Sequence, residues 1–481
     1  MANWSFVDSS GLPRVASDNA IVVDAFAWAV RRALSLVQTG RRGVVDRHER
    51  SPGGGDKPYV PCYWAGYLSR TAFYSRDFCH QASGAHLVGL ERENRTMLQA
   101  FAGTATPERR GFPLWAINFD GSPFRLDWRN DEDFVREVPA VFELVELAWR
   151  LFRWTGDRFY VDDPILRAYG EQALGAFVRW HDGRRPNGIA EGDGSGDIFS
   201  GSATYNEVHA DHPLVEAGDG VACQWAGTDA WARLLAARGD RRAKAMARRA
   251  AELRRHIHTV WGVTPNFPGW VRGYDVDGRA WTDFGLENSW FLPMKGAVDP
   301  GRRTEHLLDL IDRSVADPDT RPSNLEAISY LPGVFFPWGR VETAWRWLRH
   351  LMTAPDRSYP EISYTIVSHT VEGLCGVEPD MPRRRVATCP RLPREIAWIE
   401  AEGIRIGDAA LDVRHEGATG SSATLAKGTL PLVWEARLPT DRPTLMVNGQ
   451  RRPARRLTIN GVRHGAVDIT LEIGKRATVS L

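Results

Sequence analysis

Up to about residue 378, apolar side chains recur at three- and four-residue intervals. In 21–37, Val22, Ala25, Phe26, Ala29, Leu34 and Val37 fall on helical spacings and Gly40 closes the run. Residues 138–154 repeat the pattern with Phe142, Val145, Leu147, Leu151 and Phe152. Similar spacing predicts helices over 165–180, 223–237, 242–260, 304–315, 341–352 and 363–374, and shorter ones over 82–90 and 93–101. Two runs end alike, in Arg153-Trp154-Thr155-Gly156-Asp157 and Ala237-Arg238-Gly239-Asp240. In each, Gly can take the left-handed stop and Asp can help start the next helix, which is the punctuation of helical hairpins. Long Gly-, Pro- and Trp-rich loops lie at 115–132, 186–220 and 261–300, and loops of this length in a compact domain usually carry function.

The period changes after Glu378-Pro379-Asp380-Met381-Pro382 and the basic run Arg383, Arg384 and Arg385, which reads as a solvated linker. Val467, Ile469, Leu471 and Ile473 alternate with Asp468, Thr470 and Glu472, the pattern of a half-buried strand. Asn448-Gly449 and Asn460-Gly461 mark tight turns. The chain therefore predicts a mainly α fold. A helical domain over 1–380, a toroid or barrel of paired helices with a cleft at its loop end, precedes a small β-sandwich over 390–481.

Charge narrows the function. Lys and Arg total 61 against 60 Asp and Glu, a net charge of +1, which argues against nucleic acid as a partner. No apolar run reaches 18 residues, so no membrane span is expected. The N-terminus lacks a basic segment followed by an apolar core, so a cytoplasmic location is expected. Five cysteines without a C-x-x-C spacing read as free thiols. There is no G-x-G-x-x-G after a strand, no P-loop and no G-x-S-x-G elbow. Carboxylates and histidines are left as the obvious chemical groups.

Tryptophan changes the picture most: 19 of 481 residues. An indole offers a flat apolar face and one N–H donor, which suits the C–H face of a sugar as well as a core. Trp64, Trp115, Trp128, Trp225, Trp270, Trp281, Trp290 and Trp338 lie in or beside loops and helix starts and read as the sugar platform; Trp149, Trp154, Trp180 and Trp345 fall within helices and read as packing.

Three clusters carry candidate chemistry. In Tyr74-Ser75-Arg76-Asp77-Phe78-Cys79-His80, Arg76 and Asp77 can donate to and accept from sugar hydroxyls, with His80 beside them. The loop from Asn187 through His212 holds five acids, Glu191, Asp193, Asp197, Glu207 and Asp211, and two histidines, His209 and His212. It lacks both the calcium-loop pattern and H-E-x-x-H, so no metal is assigned. A carboxyl kept protonated by an apolar surrounding would act there as a general acid. Glu207 is preferred, then Asp197, then Glu191. In Arg357-Ser358-Tyr359-Pro360-Glu361, Glu361 opens the last strong helix and is the candidate base, with Glu287 and then Glu326 as alternatives.

These residues resemble the six-hairpin glycosidase superfamily, which includes glucoamylases, trehalases, α-L-rhamnosidases and disaccharide phosphorylases. Arg76-Asp77 looks like the sugar-binding pair of its first barrel loops. Glu207 and Glu361 are similar in position to its acid and base, and the segment from Pro390 looks like the β-sandwich of rhamnosidase-like members. The resemblance implies an (α/α)6 barrel and an inverting glycoside hydrolase without cofactor. Trp64, Trp115, Asp197, Trp225, Trp290 and Trp338 join Arg76, Asp77 and His80 as expected contacts to a carbohydrate substrate. A polysaccharide lyase using His80, His209, His212 or His369 with Tyr205 or Tyr364, a two-histidine sugar isomerase, and a non-catalytic carbohydrate-binding protein are the alternatives.

Overall fold

The computed structural model describes residues 11–205 and 213–481. Twelve helices build its first part: α1 (Ala20–Ser35), α2 (Ser75–Leu87), α3 (Glu91–Thr104), α4 (Val138–Thr155), α5 (Pro164–Gln172), α6 (Gly218–Ala237), α7 (Ala243–His256), α8 (Glu287–Met294), α9 (Arg302–Ala316), α10 (Leu331–Phe335), α11 (Val341–Thr353) and α12 (Pro360–Ser368). A few shorter helical turns join them. α5, α7 and α12 run on through π-turns at Ala173–Phe177, Ile257–Trp261 and His369–Leu374.

Position in the chain sets position in the domain. The even-numbered helices pack in succession, α2 on α4, α4 on α6, α6 on α8 and α8 on α10. α12 packs back on α2, the turn His369–Leu374 joins α10 to α12, and the short helix Leu325–Ile328 packs on α11 and α12. The odd-numbered helices pack outside them: α1 on α12, α3 on α2, α7 on α6, α9 on α8 and α11 on α10.

Sequence dictates this sorting. α9 buries only Thr304, Leu307, Leu308, Ile311 and Val315, one stripe of an amphipathic helix. α4 is buried over most of its surface and α12 throughout. Glycines let the inner helices approach closely: a Cβ at Gly84 of α2 would overlap the Tyr364 carbonyl of α12, and one at Gly218 of α6 the Asn288 carbonyl of α8.

Two helix starts differ from the periodic reading. α2 begins at Ser75 rather than near Ala82, and α6 at Gly218 rather than Cys223. Their first turns, Ser75-Arg76-Asp77 and Gly218-Asp219-Gly220, are polar or glycine, so they interrupt the apolar period while remaining buried helix. Gly156 does take the left-handed stop after α4, at φ 67°.

The C-terminal part forms two sheets. A seven-stranded sheet runs in the order Arg14–Ser17, Trp398–Ile406, Ala409–Glu416, Gly420–Lys427, Arg476–Ser480, Thr444–Val447, Gln450–Pro453. A five-stranded sheet runs Glu378–Asp380, Arg385–Thr388, Leu432–Leu438, Val462–Leu471, Arg455–Ile459. An N-terminal strand thus edges a C-terminal sheet, with Val15 opposite Ala401. Both Asn-Gly pairs have positive φ at both residues, 48° and 78° at Asn448-Gly449 and 47° and 83° at Asn460-Gly461, as a type I′ turn requires. Val467 and Leu471 face inward, whereas Ile473 lies past the strand and is exposed. All five cysteines are free and buried. Among the described residues no helix is long and apolar enough to cross a membrane.

Candidate active site

The polar first turn of α2 faces the start of α12 and the short helix Leu325–Ile328. These three segments bring Asp77, Glu361 and Glu326 together, with one oxygen from each inside a span of 4.8 Å. Asn324 caps the short helix by accepting from the Glu326 and Ala327 amides, and its Nδ2 donates to Glu326 Oε2 at 2.8 Å. The Arg76 guanidinium lies 3.3 Å from Glu326 Oε1 and donates to the Tyr205 carbonyl at 2.8 Å. The Tyr359 hydroxyl donates to Asp77 Oδ1 at 2.6 Å, and the Ser329 hydroxyl to Glu361 Oε1 at 2.7 Å. His80 Nε2 is 3.5 Å from the same Glu361 oxygen, and its ring stacks on Tyr330 at 3.8 Å. His369 donates from Nε2 to the Ser329 carbonyl at 2.8 Å.

Three carboxylates share one nearby guanidinium, so they cannot all ionise at low cost. Burial pushes Asp77 up to about 7, and the charge of Glu326 adds to the rise while Arg76 opposes it. Burial, with Glu326 and Asp77 as neighbours, lifts Glu361 well above the usual carboxylate range. Burial likewise raises Glu287, at the start of α8, to about 7 against the pull of Arg76. His80 is held well below its ordinary value, first by burial and then by His369 and two buried cations, so it is neutral. The site thus holds protons on carboxyls near neutrality, the property a general acid needs.

Several buried polar atoms here have no hydrogen-bond partner among the described residues: Oε2 of Glu361, Oε2 of Glu287 and the Tyr330 hydroxyl. Such atoms are costly unless something binds them, and a polyhydroxylated ligand supplies both donors and acceptors. Three hard oxygens could also take a divalent cation. The guanidinium already paired to Glu326 supplies a positive charge at that position.

No protein-family model matches the sequence, and no curated protein matches it. Solved structures do. An α-L-rhamnosidase from Dictyoglumus thermophilum superimposes with a TM-score of 0.60 at 10% identity, over 98% of this chain and 50% of that one. A GH78 family rhamnosidase of Bacillus sp. GL1 gives 0.58 at 14% identity, over 84% of this chain and 40% of that one. A putative kojibiose phosphorylase from the human microbiome gives 0.54 at 9% identity, over 97% and 68%. The chain shares the fold of these solved structures. The chain spans about half the length of the rhamnosidases or less.

Within this fold the expected residues divide. Arg76, Asp77, His80 and Glu361 converge with Glu326, which ranked last among the candidate bases. Glu207, His209 and His212 lie outside the described residues. Asp197 is exposed and accepts from the Phe199 amide in its own turn. Glu191 is buried, but its oxygens accept from the amides of Gly183, Arg184 and Arg185, which makes it a loop anchor.

The tryptophans divide too. Trp64 is tied to the site through its backbone. With its amide oriented to satisfy both partners, Gln81 donates to the Trp64 carbonyl and accepts from the Glu361 amide. Trp115 donates to Glu137 at 2.7 Å and meets Tyr74 edge-on. Trp225 is half-buried, packed against the core beneath Arg254 of α7, and Trp338 is buried and donates to the Pro293 carbonyl. Trp290, expected at a loop, is fully buried within α8. Trp128, Trp270 and Trp281 donate to Asp131, Thr304 and Asp275, so their indoles fasten loops.

The sequence reading missed the support beneath the site. Lys295 lies 2.5 Å from Glu143 and 2.6 Å from Glu146, and Glu143 accepts from the Tyr205 hydroxyl at 2.9 Å. Tyr205 in turn receives Arg76. Burial alone would push Lys295 down, but its two carboxylate partners outweigh it and the ammonium is raised. No local motif announces this chain, because its members come from four separate segments.

Proposed function

We propose that this chain is an inverting glycoside hydrolase on an (α/α)6 barrel, with the helical domain of residues 1–380 carrying the chemistry and the β-sandwich of 390–481 attached to it. The observation that carries the reading is the buried group Asp77, Glu326 and Glu361 around Arg76, on a fold whose solved neighbours include glycosidases. Arg76 and Asp77 hold sugar hydroxyls from opposite sides. His80, kept neutral, has one ring nitrogen to donate and one to accept. Glu361 in its ionised form is the base that takes a proton from water; the burial that raises its proton affinity strengthens it as a base and confines activity to the ionised fraction. The acid that protonates the departing oxygen is Glu207. Glu287 is the second candidate for that role, because a carboxyl with its proton held to about 7 is suited to give it up in the transition state. In an inverting enzyme the two carboxyls stand about 6.5–9.5 Å apart, leaving room for the water.

The test is a panel of p-nitrophenyl glycosides, α-L-rhamnoside among them because rhamnosidases share the fold, followed by proton NMR of the first anomer released. An inverted anomer is expected. Glu361→Ala should lose at least about a hundredfold in kcat, the scale of acid–base catalysis, and azide should restore turnover as an inverted glycosyl azide. A retained anomer would overturn the mechanism.

One observation keeps a second reading. The His80 and His369 rings lie 6.0 Å apart, with the Tyr330 hydroxyl unpartnered beside them, an arrangement that a two-histidine sugar isomerase could use. A product of unchanged mass from a free sugar would select it.

A further inference from the structure

An exposed aromatic stands one phenol ring away from the carboxylate group. Tyr67 is 45% exposed, and its ring meets that of Tyr359 edge-on at 5.3 Å and 90°. Tyr359 is the residue whose hydroxyl donates to Asp77. An exposed tyrosine alone means little. This one is held from several sides. The Arg70 guanidinium lies 4.7 Å from its ring centroid. Arg70 is itself fixed by both oxygens of Glu49, at 3.1 and 3.2 Å, and by the Tyr74 hydroxyl at 3.1 Å. The Tyr67 carbonyl accepts from the Trp64 indole at 3.1 Å and from the Arg70 amide at 2.9 Å.

A ring fixed in this way loses little side-chain freedom when a ligand covers it, so more of the stacking energy survives as affinity. The neighbouring Leu68 is also exposed. It lines an open depression of about 640 Å³ together with Arg47, Glu49, Arg50 and Ser69, beneath the hairpin of Arg42–His48 and Ser51–Pro58. Asp77, Tyr359, Tyr67, Leu68 and this depression form a continuous series of neighbours. Its chemistry passes from buried carboxylate to apolar ring to charged open surface, which is the order a carbohydrate chain of more than one unit would meet.

We propose that Tyr67 is the platform of a second-sugar subsite, so that the unit linked to the sugar at Asp77 and Glu361 rests on its ring. The proposal rests on the carbohydrate reading above. It is tested with the full chain carrying Glu361→Gln, which prevents turnover. The probes are methyl glycosides of glucose, mannose, galactose and rhamnose, and disaccharides containing each, with binding followed by calorimetry. At least one disaccharide should bind about tenfold more tightly than its monosaccharide, the scale of one aromatic stacking contact. Adding Tyr67→Ala should remove most of that ratio, and Tyr67→Phe should keep it. Three results would overturn the subsite: a ratio unchanged by Tyr67→Ala, monosaccharide binding with no gain from a second unit, or a loss that Tyr67→Phe shares. Binding of none of these sugars would overturn the carbohydrate reading as well.

Discussion

Replacing Asp77 by asparagine tests the claim that the site holds protons rather than charge. The Asp77 carboxyl moves from its ordinary 3.8 to about 7 on folding, chiefly through burial. The folded state therefore binds this proton more tightly than the unfolded chain. The stabilisation it brings is complete below about pH 4 and is lost as pH rises through about 7. Between pH 5 and pH 8 the wild type should lose roughly 3 kcal/mol from this group, taking about 1.36 kcal/mol per tenfold change in proton concentration up to pH 7. An asparagine in its place cannot titrate and can still accept from the Tyr359 hydroxyl. Urea unfolding of both proteins at the two pH values gives the comparison. The stability of the variant relative to wild type should rise by about that amount from pH 5 to pH 8. A gap that stays constant, or that moves in favour of the wild type, would mean that Asp77 is ionised in the folded state under the control of Arg76. The proton-sharing argument would then fail.

Two further outcomes are expected. If Glu287 supplies the catalytic proton, kcat/KM of the wild type should fall above about pH 7, and Glu287→Gln should flatten that limb while hurting poor leaving groups most; an unchanged limb would remove Glu287 from the reaction. Lys295→Met leaves Glu143 and Glu146 without their cation, so unfolding should show a loss of roughly 3–5 kcal/mol, with part of it recovered when Glu143→Gln is added. No recovery would mean that the lysine stem, not its charge, is what the core requires.

The hairpin order was legible in the sequence because outer helices carry a regular apolar stripe. α9 and α11 follow their predicted spans to within a few residues. The inner helices were legible only in part, and the reason is the site itself. α2 and α6 bury polar first turns, so the apolar period that reveals a helix starts a turn or more late just where Arg76, Asp77 and Asp219 stand. The tryptophan excess misled in the same way. A loop position does not make an indole a sugar platform when loops over a large helical domain need fastening, and Trp128, Trp270 and Trp281 each donate to a nearby side chain instead. Glu326 was ranked last because nothing in Asn324-Leu325-Glu326-Ala327-Ile328 marks it as special. Its role follows from long-range closure, which sets a short capped helix against the first turns of α2 and α12 and brings three carboxyls from residues 77, 326 and 361 onto one arginine. The chemistry of this site is a property of how the chain closes, and a spacing rule along the chain cannot register a group assembled from three segments so far apart in sequence.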